Sequence, residues 1–538
     1  MQKNLILAVV LSSLVYIGWY SYIEKKAPPP EQQAAQQALE AKKTAPSAAQ
    51  TAAPAARPGD DAQLLKEAQE LLAEANADAA DLAKPPKRVE ASKLMAVVEA
   101  GKARYTFFVP NATLASAVYQ GPVAPVELVA DPTRGFFHSS LAGKFALKSK
   151  TGRSVEFTAQ QGPLLITKRF TFDPDNGINF IQISAVNTSG RTQVLPAWEL
   201  TVGPGLSTVK SELKENKDLL KADYTFYQEG RKHPTLQEIE DEPAEHDWIW
   251  AGLNNRYFLA ALVAGPDFKG TRPLRRLEKV GEIEKTPSLV IPVPALELKP
   301  GETRNWDSTF YLGPKDYSLL KKLGMGLDRS VDFGFFAPLA KLANSSVVYF
   351  REVTGNYGLA IIILSVIIQI ILTPLSFKSY KAMAVMKKIQ PEMQSIQKRY
   401  KDDPKRMNQE IMDLYKRHGT NPLGGCLPML LQIPVFFALF TALRNSWDLH
   451  GAPFYFWIKD LSAKDPFYVL PLVMGGIMFL QQHLSPQTSD PAQAAMMKWM
   501  PVIFTFMFLT FPSGLVLYWL INSTWGFAQS MYLQKKMG

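Results

Sequence analysis

Hydrophobic and polar positions divide the chain into stretches of different period. Residues 4–23 form an apolar run of about 20 residues, long enough to cross a bilayer. Trp19, Tyr20 and Tyr22 form an aromatic belt at its end, and no small-residue cleavage site follows. Residues 1–23 are therefore expected to be an uncleaved transmembrane anchor. Residues 24–91 are rich in Ala, Pro and Gln, a composition that cannot bury a core, and read as a linker. From 92 to 318 the pattern becomes short alternating runs such as Tyr105-Thr-Phe-Phe-Val109, Ile166-Thr-Lys-Arg-Phe-Thr-Phe172 and Phe180-Ile-Gln-Ile-Ser184. Turn formers such as Asp173-Pro-Asp-Asn-Gly177 separate them, and this texture predicts one large all-β sandwich.

Beyond that region the period lengthens. Within 319–356, Phe333, Phe336, Leu339, Ala340 and Ala343 share one helical face, which predicts an amphipathic helix lying along a membrane surface. Five apolar spans follow, at about 357–377, 423–444, 467–484, 499–511 and 513–532, the last two parted only by a turn at Pro512-Ser513-Gly514. Between the first two spans, 378–420 is basic and Met-rich and reads as a helical hairpin. Met383, Met386, Ile389, Met393 and Ile396 line one arm; Met407, Ile411, Leu414 and Tyr415 line the other, after a turn at Lys401-Asp-Asp-Pro404. The fold expected is an α-helical polytopic membrane protein of six spans. Its five-helix core occupies 357–533, a short tail 534–538, and the β-sandwich stands on the far side of the membrane.

Composition supports this division. Over 538 residues the mean hydropathy is −0.07, which suits a soluble protein but averages a polar first part with an apolar second. Cys426 is the sole cysteine, so no intramolecular disulfide is possible, and no Cys/His cluster has zinc-ligand spacing. A net charge of +10 fits basic cytoplasmic loops better than sequence-specific nucleic-acid binding. The 378–417 stretch holds eleven basic and five acidic residues and is expected to be cytoplasmic. The 445–466 loop has only Lys459 and Lys464 against Asp448, Asp460 and Asp465, which suits the opposite side. Both termini then fall in the cytoplasm and the β-domain outside, although Lys25-Lys26 opposes this locally.

The five C-terminal spans contain no Asp or Glu, which argues against an ion-coupled transporter. They do contain neutral polar groups. Ser365, Gln369 and Thr373 stand on one face, with Gln369 about 12 Å from the end of its span at 1.5 Å per residue. A buried amide there needs partners, which Gln432, Tyr518, Trp519, Asn522, Ser523 and Thr524 could supply. Such groups either join helices or line a hydrated groove. The fifth span, about 20 Å long as a helix, is shorter than the ~30 Å hydrocarbon layer, and a short span thins the bilayer locally. His138, His233 and His246 form no readable catalytic set, and no enzymatic activity is expected.

The run Asn421-Pro-Leu-Gly-Gly-Cys-Leu-Pro-Met-Leu-Leu-Gln-Ile-Pro-Val-Phe-Phe-Ala-Leu-Phe440 resembles the YidC/Oxa insertases, specifically the Gram-negative YidC type. Phe511-Pro-Ser-Gly-Leu-Val-Leu-Tyr-Trp519, Asn356-Tyr-Gly358 and Trp250-Ala-Gly-Leu-Asn-Asn-Arg-Tyr-Phe258 fit the same family. The resemblance implies an inner-membrane insertase and chaperone that uses no nucleotide, metal or other cofactor. Its implied partners are nascent inner-membrane proteins, membrane lipids, the Sec translocon, the ribosome and signal-recognition components. It implies a client groove, here Ser365, Gln369, Gln432, Tyr518, Trp519 and Asn522, and a receiving hairpin whose Met383, Met386, Met393 and Met407 meet clients. One departure is visible. Where the family usually has an arginine one turn after a Ser/Thr, this chain has Gln369 after Ser365, so the groove is polar but uncharged. The competing reading is a channel or transporter with an extracytoplasmic ligand-binding β-domain.

Overall fold

Alternation along Leu164–Thr171 sends Ile166, Lys168 and Phe170 into a core and leaves Arg169 on the opposite face. This strand belongs to a nine-stranded antiparallel sheet in a computed structural model that describes residues 95–537 apart from 142–143, 175–176, 402, 420–426 and 485–490. The expected anchor 1–23, the linker 24–91 and the Asn421-to-Cys426 part of the membrane motif lie outside the described residues. In spatial order the sheet runs Thr235–Glu238, Lys221–Phe226, Trp250–Asn254, Phe258–Val263, Thr303–Pro314, Ile178–Asn187, Leu164–Thr171, Ser154–Gln161 and Ala146–Lys150. Two four-stranded sheets share its core. One runs Leu274–Val280, Ile283–Val293, Trp198–Val202, His138–Ser139; the other runs Met95–Ala100, Ala103–Phe108, Thr113–Gln120, Pro125–Glu127. The large β-sandwich is thus present.

Two of its strands are covered on both faces, which explains why they read as continuous apolar runs. Ala251, Leu253, Phe258, Ala260 and Leu262 enter the sandwich core, while Trp250, Leu259, Ala261 and Val263 join a second core with Tyr317, Leu320, Leu327 and Phe333. Within the 250–258 motif, Asn255 Oδ1 accepts from the Tyr257 and Phe258 amides at 3.1 and 2.9 Å and fixes the connecting turn. Trp250 Nε1 donates to Gly326 O at 3.0 Å, tying the sheet to the segment that leaves it.

Nine α-helices are described. α1 (Leu213–Leu219) and α2 (Tyr317–Leu323) belong to the β-region. In α3 (Ala337–Thr354), Ala340, Ala343, Asn344 and Val347 are buried. Leu339 is on the other side, with Leu342, because the buried stripe follows i, i+3, i+4, i+7 from Ala340. The grouping of Leu339 with Ala340 is corrected accordingly.

α4 (Tyr357–Arg399) is one helix of 43 residues, about 64 Å long at 1.5 Å per residue. Asn356 caps it by accepting from the Gly358 and Leu359 amides at 2.8 and 3.2 Å, and a side chain at Gly358 would collide with Phe454. The first span therefore runs without a break into the first hairpin arm, where a junction near Phe377 was expected. Pro374 and Pro391 lie inside it. Asp403 caps α5 (Pro404–Arg417) at 3.1 Å from the Arg406 amide. α6 (Leu427–Arg444), α7 (Val469–Leu484), α8 (Pro491–Phe508) and α9 (Ser513–Met537) complete the helical region. α4 packs on α3, α6 and α9, while α7 packs on α8 and α9. Among the described residues, one helical stretch, Tyr357–Ser379, is long and apolar enough to cross a membrane; Leu430–Arg444, Val469–His483 and Lys498–Phe508 are shorter apolar helices.

The loop after α6 returns to the sandwich. Trp447 enters the sandwich core, its ring 6.1, 5.9 and 5.0 Å from those of Tyr119, Tyr257 and Phe258. Thr441 Oγ1 donates to Phe333 O at 3.0 Å and Asn445 Nδ2 to Asp332 O at 2.8 Å. The C-terminal end of α6 is thereby fastened to the β-region.

Candidate functional site: a polar cavity among the helices

α4, α6, α7 and α9 line a half-open cavity of about 240 Å³. α4 contributes Gln369 and Ser376, two turns apart on one face; α6 contributes Gln432, α7 Gln481, and α9 Asn522, Ser523 and Gln529. Leu372, Leu375, Leu431, Met478 and Trp519 supply the apolar part of the wall. Hydrogen bonds join the polar groups across helices. Gln369 Nε2 donates to Asn522 Oδ1 at 2.7 Å, Gln432 Nε2 to Tyr518 Oη at 2.5 Å, and Gln529 Nε2 to Thr373 Oγ1 at 2.7 Å. Trp519 is held by Phe436, Phe504 and Phe508 at 5.0, 5.6 and 5.3 Å between ring centres. Gly526 gives Gln481 room: a Cβ there would stand 2.8 Å from its Nε2. Among the described lining residues none is charged.

Of the six groove residues read from the sequence, Gln369, Gln432, Trp519 and Asn522 line this cavity. Ser365 and Tyr518 do not. Ser365 is fully buried and its Oγ donates to Ile361 O of its own helix at 2.6 Å; Tyr518 sits behind the wall, accepting from Gln432. Ser376, Gln481, Gly526 and Gln529 are further lining residues. The spacing Asn522, Gly526, Gln529 (i, i+4, i+7) was the available signal for two of them.

In the hairpin, Ile389 and Leu414 are buried and Tyr415 Oη donates to Met393 Sδ at 3.2 Å. Met386, Met393 and Met407 are half-buried, and Met383 lies on the same arm as the first two. Met412 is the more exposed methionine. Among the described residues no three His, Cys, Asp or Glu side chains are grouped to hold a metal. His246 stacks on Phe226 at 4.0 Å, a packing role.

Residues 349–538 match the family model described as 60Kd inner membrane protein, and residues 112–343 match the YidC periplasmic domain. The membrane protein insertase YidC of Geobacter sulfurreducens is 41% identical over 373 residues, 69% of this chain and 68% of its own. That of Geobacter metallireducens is 35% identical over 560 residues, 100% of this chain and 99% of its own. The chain belongs to the YidC family of membrane protein insertases. It is a membrane protein whose work is insertion, not an enzyme. Among solved structures, an active YidC insertase with its first transmembrane domain resolved is similar at a TM-score of 0.40 and 20% identity, over 82% of this chain and 93% of that one. YidC membership accounts for the pairing of a β-sandwich with an apolar helical region on one chain.

Proposed function

We propose that this insertase works through the polar cavity, with α4, α6, α7, α8 and α9 as its membrane-embedded core. The observation that carries this reading is the cavity itself: a cluster of amides and hydroxyls inside helices whose outer faces are apolar. A client's polar flank crossing hydrocarbon loses its water, and each unsatisfied polar group costs several kcal/mol. Gln369, Gln432 and Asn522 replace that water part-way, with Trp519 as a fixed apolar wall and Ser365 and Tyr518 as buried supports. The net drive comes from burying the client's apolar segment, at about 25 cal/mol per Å². The protein lowers the barrier for the flank.

In this reading residues 1–23 anchor the chain, 24–91 tether it, and the β-domain at 92–318 stands in the periplasm. The region 319–356 lies at the membrane surface, the insertase core occupies 357–533, and both termini are cytoplasmic. The basic hairpin 378–420 faces the cytosol, where its charges suit the ribosome, signal-recognition components or acidic lipid, and its Met383, Met386, Met393 and Met407 meet apolar clients. The Sec translocon is the further partner that the family resemblance implies. The test is depletion of the protein followed by pulse-labelling of small inner-membrane proteins, complemented with Gln369→Leu. Depletion is expected to block insertion, and Gln369→Leu to restore it about fivefold less well, the equivalent of the ~1 kcal/mol per buried polar contact. Normal insertion under depletion would overturn the reading, as would solute flux through proteoliposomes with no insertion.

A further inference from the structure

The loop 445–468, between α6 and α7, sorts its charges by direction. By count it is slightly acidic, with Asp448, Asp460 and Asp465 against Lys459 and Lys464. Asp465 is buried, its oxygens accepting from Trp457 Nε1 at 2.9 Å and from the Phe467 and Leu470 amides at 3.0 and 2.7 Å. Asp460 accepts from the Ser462 amide and hydroxyl at 2.8 and 2.7 Å, and Asp448 is half-buried. Both lysines are exposed, so the charge that the loop presents outward is chiefly positive. The loop also presents aromatic rings: Phe456 is 84% exposed and Phe467 66%, with Tyr455 and Tyr468 exposed next to them in sequence. Phe456 and Tyr468 have left-handed backbones, at φ of 59° and 57°, which costs free energy for a residue with a Cβ. Too little of the Phe456 ring is buried within the chain to offset that cost.

This loop stands where α4, α7 and α9 begin. Asn356 Nδ2 donates to Pro453 O at 3.2 Å at the start of α4, and Tyr468 leads directly into α7. At the start of α9 the Ser513 and Gly514 amides donate to Ala463 O and Leu461 O at 2.7 and 2.9 Å. From Phe467 the exposed apolar residues continue along α7 through Leu472, Val473, Phe479 and Leu480. Exposed rings at the rim of an apolar helix surface, with lysines reaching outward beside them, have the chemistry of the boundary between acyl chains and phosphate headgroups. We propose that this loop is a lipid-binding surface: Phe456 and Phe467 enter the acyl boundary of the periplasmic leaflet, and Lys459 and Lys464 hold the phosphates of anionic phospholipids. The proposal rests on the membrane placement given above and adds the lipid that the periplasmic end of the core grips. Because the loop backbone is bonded to the starts of α4 and α9, the grip fixes the depth of both helices in the bilayer, and with them the depth of the polar cavity.

The test uses the full-length protein with Cys426→Ser and one new cysteine at a time, labelled with bimane and reconstituted into lipid vesicles. The labels are placed by Phe456→Cys, by Phe467→Cys as a second loop position, by Tyr227→Cys on the sandwich and by Phe479→Cys on α7; all four parent rings are exposed. In phosphatidylcholine vesicles a nitroxide high on the acyl chain is expected to quench the two loop labels about fivefold more than the label at 227, while aqueous iodide shows the reverse order. In mixtures with phosphatidylglycerol, the nitroxide carried on phosphatidylglycerol should quench the label at 456 about threefold more than the same nitroxide on phosphatidylcholine. Lys459→Gln with Lys464→Gln should remove that preference and leave the depth unchanged. Loop labels as open to iodide as the label at 227 overturn the proposal. Shielding from both iodide and lipid nitroxide also overturns it, because protein then covers the loop. Equal quenching by the two lipids, or a preference that survives loss of the lysines, overturns the anionic-headgroup assignment. A label at 479 that iodide reaches would instead overturn the membrane placement itself.

Discussion

The β-sandwich and the helical region solve opposite burial problems within one chain. In the sandwich, Phe107, Phe157, Phe170 and Phe310 are completely buried and the outer face carries ion pairs such as Arg276 with Glu199 at 2.9 Å. In the helical region large apolar side chains also face outward: Ile371 and Phe506 are each 69% exposed. There the hydrogen-bonding groups turn inward, to the cavity. Water explains the first arrangement, and hydrocarbon would explain the second under the membrane placement proposed above. The two regions meet at α6, whose loop lodges Trp447 in the sandwich core.

The largest effects should come from exchanging the rules of the two regions. Phe310→Ala empties a site between Phe137, Phe170 and Phe172, at ring distances of 4.6, 6.4 and 6.1 Å. Its expected cost is about 3–5 kcal/mol by chemical denaturation of the detergent-solubilised chain. Phe506→Ala should cost under about 1 kcal/mol in the same assay, since a ring that is 69% exposed leaves no cavity when it is removed. Equal losses would mean that Phe506 packs on protein. Trp447→Ala should fall between the two, at about 2–4 kcal/mol, and should separate one thermal transition into two. A single unshifted transition would show that the loop does not couple the regions.

How far the sequence reveals each region follows the same contrast. Alternation in the stretches at 105, 166 and 180 marks strands because each lies between water and one core. The order of nine strands depends on pairings more than a hundred residues apart, such as Gln182 opposite Asp307, which local pattern does not encode. Lys168 is the sharper example: charge marks it as outward, yet alternation from Ile166 and Phe170 carries it inward to full burial. In the helices, polar residues within apolar spans pointed to Gln369, Gln432 and Asn522 because such groups must find partners. Gln529 was within reach of the spacing from Asn522, but Gln481 lies toward the end of α7, where a polar residue is unremarkable, and only the packing of α7 on α9 brings it in. Ser365 satisfies its own hydroxyl on Ile361, a local option that pattern does not distinguish from a cavity-lining role. The Trp447 contact could not be read at all, being set by the meeting of two separate cores.

Lys168 also gives the sandwich a pH response. Its ammonium donates to Phe137 O at 2.7 Å and to Ala112 O at 3.3 Å, and burial depresses its pKa to about 7. The unfolded chain holds that proton up to about pH 10. Between pH 7 and 10 the unfolded state therefore binds the extra proton, and stability rises with pH. Lys315, lowered by burial to about 8, adds the same tendency only above pH 8. From pH 7 to 8 the sandwich is thus expected to gain up to about 1 kcal/mol, read by denaturant midpoints, and Lys168→Met should flatten that rise. An unchanged slope in the variant would assign the rise to another group.

The smallest effect should come from the ion pair beside the Trp447 contact. Arg444 lies 3.9 Å from Glu215, and the two side chains are 41% and 60% exposed, so solvent screens their attraction. Glu215 is also bound by Arg256 Nη2 at 3.0 Å, and Arg256 holds Glu212 as well. Removing Arg444 leaves no carboxylate stranded. Arg444→Gln should accordingly cost under about 0.5 kcal/mol, and a double-mutant cycle with Glu215→Gln should give a coupling no larger. A coupling above about 1 kcal/mol would transfer the fastening of α6 from the buried indole to the charges, and Trp447→Ala would then have to prove nearly silent.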